Sequence, residues 1–246
     1  MKFLGLIPSR LKSKRLKEKA LLKISGIPIV VHTYKRAKMS KFLDDLIVCT
    51  DSKKISRQLT KFKAKFQITS VSHRNGTERI AEVSKKIKSD FIVDIQGDEP
   101  FINPAHIDNL INFHKKNTQF DIVVPHLKIS SGQNENLVKI VSDLNKRVLY
   151  FSRHQIPYEF KKSTKYFKKH LSIISFKRKA LLEFSKLKES PLEKIEGIEL
   201  MRAIENGMCV GTFLLTGDSF AIDKLEDYQK ALIQIQNDKI SKKYIK

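Results

Sequence analysis

Three stretches of this 246-residue chain carry side chains suited to a phosphorylated ligand. Between Pro8 and Lys19 stand Arg10, Arg15 and Lys19. Together they could surround a triphosphate, arginine supplying planar forks and lysine a movable point charge. The glycines of a GxxxxGK[ST] loop are missing, so this is not a P-loop, and a solvated basic loop is the plain alternative. Gln96-Gly97-Asp98-Glu99-Pro100 sets a carboxylate beside a glycine. Asp98 could hold magnesium there, while Gln96 offers an acceptor and donors to a base edge; an ordinary Gly-Asp turn is the alternative. Ile222-Asp223 supplies a second carboxylate. One or two carboxylates plus substrate phosphates is the usual way to hold magnesium, so Asp98 and Asp223 make a chemically sensible pair.

These stretches are useful only if the chain delivers them to one place, and its first half is built to do so. An apolar run over 2–7 ends at Pro8, Pro28 opens a helix from Ile29 to Ala37, and 45–50 reads as a strand followed by a helix over 52–63. From Thr77, Ile80, Val83 and Ile87 recur at helical spacing, 90–95 is a third strand, Pro104 starts another helix, and Ile122-Val123-Val124 is a further strand. Short β-branched runs separated by helical stretches predict an α/β fold with a doubly wound, mostly parallel sheet. In such a sheet ligands bind beyond the carboxyl ends of the strands, where 8–19 and 96–100 fall.

After about residue 127 the pattern changes. Residues 138–142 and 147–152 flank a turn as a hairpin would. A lysine-rich insertion covers 159–169, followed by a strand over 170–175, helices near 177–187 and 191–206, a strand over 209–215 and a closing helix over 224–241. No break in composition divides the chain, so 1–246 reads as a single domain in which 128–205 form a small β-rich subregion.

The formal net charge of +22 invites a nucleic-acid reading. Yet 38 of the 48 basic residues are lysines spread from Lys2 to Lys246, without the one-sided clustering or aromatic interleaving of a nucleic-acid binder, so a solvated lysine-rich surface is the better reading. No apolar run approaches the ~20 residues of a membrane span, and the N-terminus is too short for a signal peptide; the expectation is a cytoplasmic protein with no membrane partner. Cys49 and Cys209 read as small core residues with no zinc or redox spacing.

Several blocks then occur in one order: Ile7-Pro8-Ser9-Arg10, Ser13 with Arg15-Leu16 and Lys19, His73 with Gly76-Thr77-Glu78-Arg79-Ile80-Ala81-Glu82-Val83, Gln96-Gly97-Asp98-Glu99-Pro100, Tyr150-Phe151-Ser152-Arg153, Ile156-Pro157, His170-Leu171, and Ser190-Pro191-Leu192-Glu193 with Ile195-Glu196. This order resembles the CMP-Kdo synthetases, the 3-deoxy-manno-octulosonate (Kdo) cytidylyltransferases, along nearly the whole chain. The resemblance implies a nucleotidyltransferase that joins CMP from CTP to an acidic sugar, releases pyrophosphate, uses Mg2+ and forms a homodimer through the 128–205 subregion. It implies nucleotide contacts at Pro8, Ser9, Arg10, Ser13, Arg15, Lys19, Arg74, Gly76 and Gln96, and catalytic roles for Arg15, Lys19, Asp98 and Asp223. Asp98 and Asp223 match the metal ligands; Arg153, His170 and Glu199 match sugar-binding positions, with Glu193 at the sugar pocket or the dimer contact. His32, His106, His114, His126 and His154 fall outside the matching blocks and read as ordinary structural or surface histidines.

The chain departs from the family where RLPGKPL becomes Arg15-Leu16-Lys17-Glu18-Lys19-Ala20-Leu21, where HLGIYGY becomes His170 through Phe176, and where EQLR becomes Glu199-Leu200-Met201-Arg202. TGVDTPEDL becomes Phe220 through Tyr228, which keeps Asp223. Ile174 and Leu200 thus replace a tyrosine and a glutamine among the sugar-facing positions, so a related acidic sugar such as 8-amino-8-deoxy-Kdo or a nonulosonic acid is the alternative acceptor. A basic nucleic-acid-binding protein without catalysis is the rival from another class.

Overall fold

β1 (Phe3–Ser9) is buried along all seven residues, as a strand covered on both faces must be. A computed structural model describes residues 1–13, 15–218 and 220–245, in two compact units, Met1–Asp108 with Ser219–Lys246, and Asn109–Asp218. In the first unit β1 is followed by a small hairpin, β2 (Lys23–Ile24) and β3 (Ile27–Pro28), then α1 (Ile29–Ala37), β4 (Asp45–Thr50), α2 (Lys53–Lys61), β5 (Phe66–Ile68), α3 (Gly76–Lys86) and β6 (Phe91–Ile95), and the chain leaves the unit within α4 (Pro104–Lys116). β4 pairs with β1 and β5 with β4, all parallel, while β6 pairs parallel with the opposite edge of β1. The chain therefore builds outward from β1, then returns to its other side. Because parallel crossovers are right-handed, that reversal puts helices on both faces and opens a crevice between the loops that leave β1 and β6.

In the second unit β7 (Ile122–Ile129), β8 (Lys139–Ser142), β9 (Val148–Ser152), β10 (Phe167–His170) and β11 (Ile173–Lys177) precede α5 (Arg178–Phe184), α6 (Pro191–Glu196), α7 (Met201–Glu205) and β12 (Val210–Leu214). β7 pairs antiparallel with β10 and β11 and parallel with β12; β8 and β9 form the expected hairpin. The single strand expected over 170–175 is two: β10 meets His126–Ile129 of β7 and β11 meets Ile122–Val123, so β10 also takes in the end of the lysine-rich stretch. The helix expected over 191–206 is interrupted at Gly197, whose φ of 63° is the left-handed conformation that ends a helix. Its first part is capped by Ser190 and Glu193, and Glu193 also receives two nitrogens of Arg202 (Nε 2.7 Å, Nη2 2.6 Å).

Two buried polar side chains and one cysteine of this unit take their setting from the fold. Lys139 is fully buried, and its ammonium donates to the carbonyls of Asn134 (3.0 Å), Leu137 (2.7 Å) and Arg153, one acceptor for each of its three protons. Its partners are defined only by the fold. His114 contacts Ser175 Oγ through Nδ1 (2.7 Å) and Phe120 O through Nε2 (3.1 Å). Nε2 must donate to the carbonyl, and burial lowers the ring's pKa to about 4, so the ring is neutral with Nδ1 accepting from the Ser175 hydroxyl. Cys209 is half-buried rather than a core residue, and its backbone N–H, just before β12, donates to the Asp121 carboxylate at 3.0 Å.

The chain then returns to the first unit for α8 (Leu225–Asn237). Ile222, Ala231 and Ile235 join Ile24, Ile29 and Phe101 in one apolar cluster, which Leu16 and Tyr228 border. Phe220 stacks on Phe101 at 5.4 Å. The altered residues around Asp223 thus anchor its loop to the core.

Candidate active site

The loops that leave β1 and β6 meet the segment before α8 around one cleft of about 370 Å³. Close approach is built into its floor. A Cβ on Gly97 would lie 2.8 Å from the Pro8 carbonyl oxygen, so only glycine lets the β6 loop cross the β1 loop there. Asp98 and Asp223 are brought together through backbone: the Ile222 N–H donates to Asp98 O at 3.0 Å. Asp223 is held in turn by Asp227 of α8, whose carboxylate accepts the N–H groups of Asp223 (3.0 Å) and Lys224 (2.9 Å).

One ammonium stands between the two acids. Lys19 Nζ lies 2.6 Å from Asp98 Oδ2 and 3.0 Å from Asp223 Oδ1, and Arg15 Nη2 reaches the same Asp223 oxygen at 2.9 Å. Burial works against the Lys19 charge, but Asp98 and then Asp223 outweigh it and hold its pKa above the ordinary lysine value. Glu18, in the family's glycine position, keeps a glycine-like backbone at φ 49° and ψ 33°, while its carboxylate takes Lys54 at 2.7 Å. The neighbouring Leu16 and Ala20 tie the loop to the core.

The opposite wall is the loop before α3. Asn75 caps the helix by accepting from Glu78 N (2.9 Å), and Glu78 reaches back to Arg74 (Nε 2.6 Å). One turn on, Glu82 accepts from Ser70 N (2.9 Å) and pairs with His73 Nε2 (2.7 Å). The Ser70 N–H, followed by His73, pulls its pKa down to about 2. Arg79, 3% exposed, is fixed by Asp51 (2.7 Å) and Thr69 Oγ1 (2.5 Å). On the floor, Gln96 Nε2 donates to the buried Asp94 carboxylate at 2.9 Å. A carboxylate can only accept, so the amide is oriented with Oε1 free to turn elsewhere.

All residues expected at the nucleotide and the metal, from Pro8 to Gln96 together with Asp98 and Asp223, line this cleft. Asn75 and Arg79 line it too and were not singled out, although Asn75 three residues before Glu78 is a cap signature. The sugar candidates belong to the other unit. Arg153 is exposed and spends its guanidinium on the carbonyls of Glu196 (3.0 Å), Glu135 (3.2 Å) and Gly197 (3.3 Å). His170 stands edge-on to Phe151, and its Nε2 is buried with no hydrogen-bond partner among the described residues. Glu199 lies 3.6 Å from Arg202. Leu200 is 5% exposed and serves as core, whereas Ile174 is half-buried.

The family model described as Cytidylyltransferase matches residues 4–210. The chain belongs to the cytidylyltransferases. It is 39% identical over 244 residues to the 3-deoxy-manno-octulosonate cytidylyltransferase of Fusobacterium nucleatum, covering 98% of this chain and 99% of that one. It is 38% identical to the enzyme of the same name from Chloroherpeton thalassium, over 94% of this chain and 96% of the relative. A solved CMP:2-keto-3-deoxy-manno-octonic acid synthetase complexed with CTP superposes with a TM-score of 0.93 at 29% identity, covering 96% of this chain and 99% of that one. As a cytidylyltransferase the chain is a nucleotidyltransferase enzyme with an α/β fold, and no described helix is long and apolar enough to cross a membrane.

Proposed function

We propose that this cytidylyltransferase moves CMP from CTP to the anomeric hydroxyl of 3-deoxy-manno-octulosonate and releases pyrophosphate. The observation that carries the reading is the convergence of Arg15, Lys19, Asp98 and Asp223 in the cleft that also holds Gln96. The relatives' names supply the sugar. In the reaction the anomeric oxygen forms a bond to the α-phosphorus, the bond to the β-phosphoryl oxygen breaks in line, and the hydroxyl proton passes to solvent. No protein nucleophile enters that balance. Arg15 and Lys19 neutralise the triphosphate and the departing pyrophosphate, whose charge grows as the bond breaks. Gln96, its amide nitrogen engaged by Asp94, offers Oε1 to the exocyclic amine of cytosine, a donor where uracil carries a carbonyl.

The cleft fits Mg2+, because two carboxylates on pinned loops already share a single cation. Asp98 and Asp223 would hold it, and bound there it neutralises phosphate charge and lowers the pKa of the attacking hydroxyl. Consumption of CTP suits a cytoplasmic enzyme. For the homodimer, the second unit exposes Leu144, Leu149, Tyr158, Phe160 and Ile195, apolar surface that a partner copy would cover. Pyrophosphate release from CTP, measured across Kdo, 8-amino-8-deoxy-Kdo and a nonulosonic acid, tests the acceptor. Kdo is expected to give the highest kcat/KM; a preference for either other sugar would transfer the assignment to it, a change that Ile174 in place of a polar tyrosine would favour.

A further inference from the structure

The two acids of the cleft already have cation partners: two carboxylates, Asp98 and Asp223, face two cations, Lys19 and Arg15. Lys19 is the one that touches both acids, at 2.6 and 3.0 Å, on a flexible four-carbon stem whose side chain is only 14% exposed. A divalent ion coordinated by Asp98 Oδ2 and Asp223 Oδ1 competes with that ammonium, because both cations are drawn to the position between the same two oxygens and repel each other at that range. Magnesium sheds water reluctantly and needs such ligands in near-ideal geometry, so an ammonium already hydrogen-bonded to them is a strong competitor. A nucleoside triphosphate changes the balance by offering Lys19 and Arg15 a more highly charged partner.

On the reading that Asp98 and Asp223 bind the metal, we infer that Lys19 is a placeholder cation that excludes divalent metal from these two carboxylates until a nucleoside triphosphate draws it away. It holds the two like-charged loops together in the free enzyme and couples metal entry to nucleotide arrival. Such coupling is reciprocal: nucleotide tightens metal binding by the same factor that metal tightens nucleotide binding. Lys19 thus has a binding role before it has a catalytic one.

Mn2+ binding, followed by the loss of its free-ion paramagnetic resonance signal, tests this on the full chain with and without CTP, with no sugar present and with CTP-only blanks subtracted. Without nucleotide, Lys19→Met is expected to bind Mn2+ about 5- to 150-fold more tightly than wild type, the usual span of coupling between two ligands. Asp98→Asn should abolish that binding. Equal affinity of wild type and Lys19→Met for Mn2+ without nucleotide, while CTP still recruits the ion in both, would overturn the placeholder role and leave the metal assignment standing. If wild type takes up no Mn2+ beyond the blank even with CTP, the metal assignment itself fails and the placeholder with it. Lys19→Gln, which keeps a polar side chain of similar reach, decides the matter if circular dichroism shows that Lys19→Met does not fold.

Discussion

Gln96 illustrates how a single side chain acquires a function from its neighbour. Asp94 takes the amide nitrogen, so the carbonyl oxygen is the end available to a base. Gln96→Ala should therefore narrow the preference for CTP over UTP by roughly 2- to 13-fold, the worth of one net hydrogen bond. That ratio of kcat/KM values is the measurement, and an unchanged ratio would remove Gln96 from base recognition. The carboxylates behave differently. Asp98→Asn and Asp223→Asn keep shape while removing a charge, so each is expected to lower kcat by about 10²- to 10³-fold with little change in thermal midpoint. Near-normal turnover in either variant would break the two-carboxylate assignment. Residues of this kind were legible because each lies in a short local block. Arg79 was not, because its partner Asp51 lies just after β4, and Lys139 and Asp94 were not, because only the folded backbone aims the carbonyls of Asn134, Leu137 and Arg153 at the one and the Gln96 amide at the other.

At the scale of elements, the boundaries that sequence reading located well have a local cause, such as Pro28 before α1 or Pro104 at the start of α4. It failed where tertiary pairing decides. β10 and β11 are separate strands because they meet different parts of β7, and α6 stops at Gly197 although the residues beyond it remain helix-compatible. The ion pair that spans α6 and α7 separates a structural from a sugar-binding role for Glu193. Arg202 is 1% exposed and keeps two of its nitrogens on that carboxylate, so Glu193→Ala leaves a buried guanidinium with only the longer carboxylate contact, to Glu199 (3.6 Å). A loss of about 3–5 kcal/mol in urea unfolding is expected, with KM for CTP unchanged. A stable variant with a raised KM for the sugar would instead put Glu193 in the acceptor pocket.

For the whole molecule, acid is the sensitive axis. Burial brings the pKa of each of His114, His126 and His170 down to about 4, and Glu82 is held at about 2. Because the folded histidine values lie below the ordinary 6.5, the unfolded chain takes up protons first as pH falls. The histidine contribution is fully present above about pH 6.5 and is lost as pH falls toward 4; that of Glu82 is present above the ordinary glutamate value of 4.5 and is lost as pH falls toward about 2. The urea midpoint should therefore be lower at pH 5 than at pH 7.5, and His114→Gln should flatten part of that slope; identical midpoints would contradict the neutral, buried assignment.

If one cleft carries out cytidylyl transfer, phosphorus NMR of the protein with CTP, Kdo and Mg2+ will follow both products of the reaction at once. Pyrophosphate and a CMP-sugar phosphodiester should appear in equal amounts, with no CTP loss when Kdo is omitted and with both products forming about 10²- to 10³-fold more slowly with Asp98→Asn. Pyrophosphate without the phosphodiester, or the same products at the same rate from Asp98→Asn, would contradict cytidylyl transfer in this cleft.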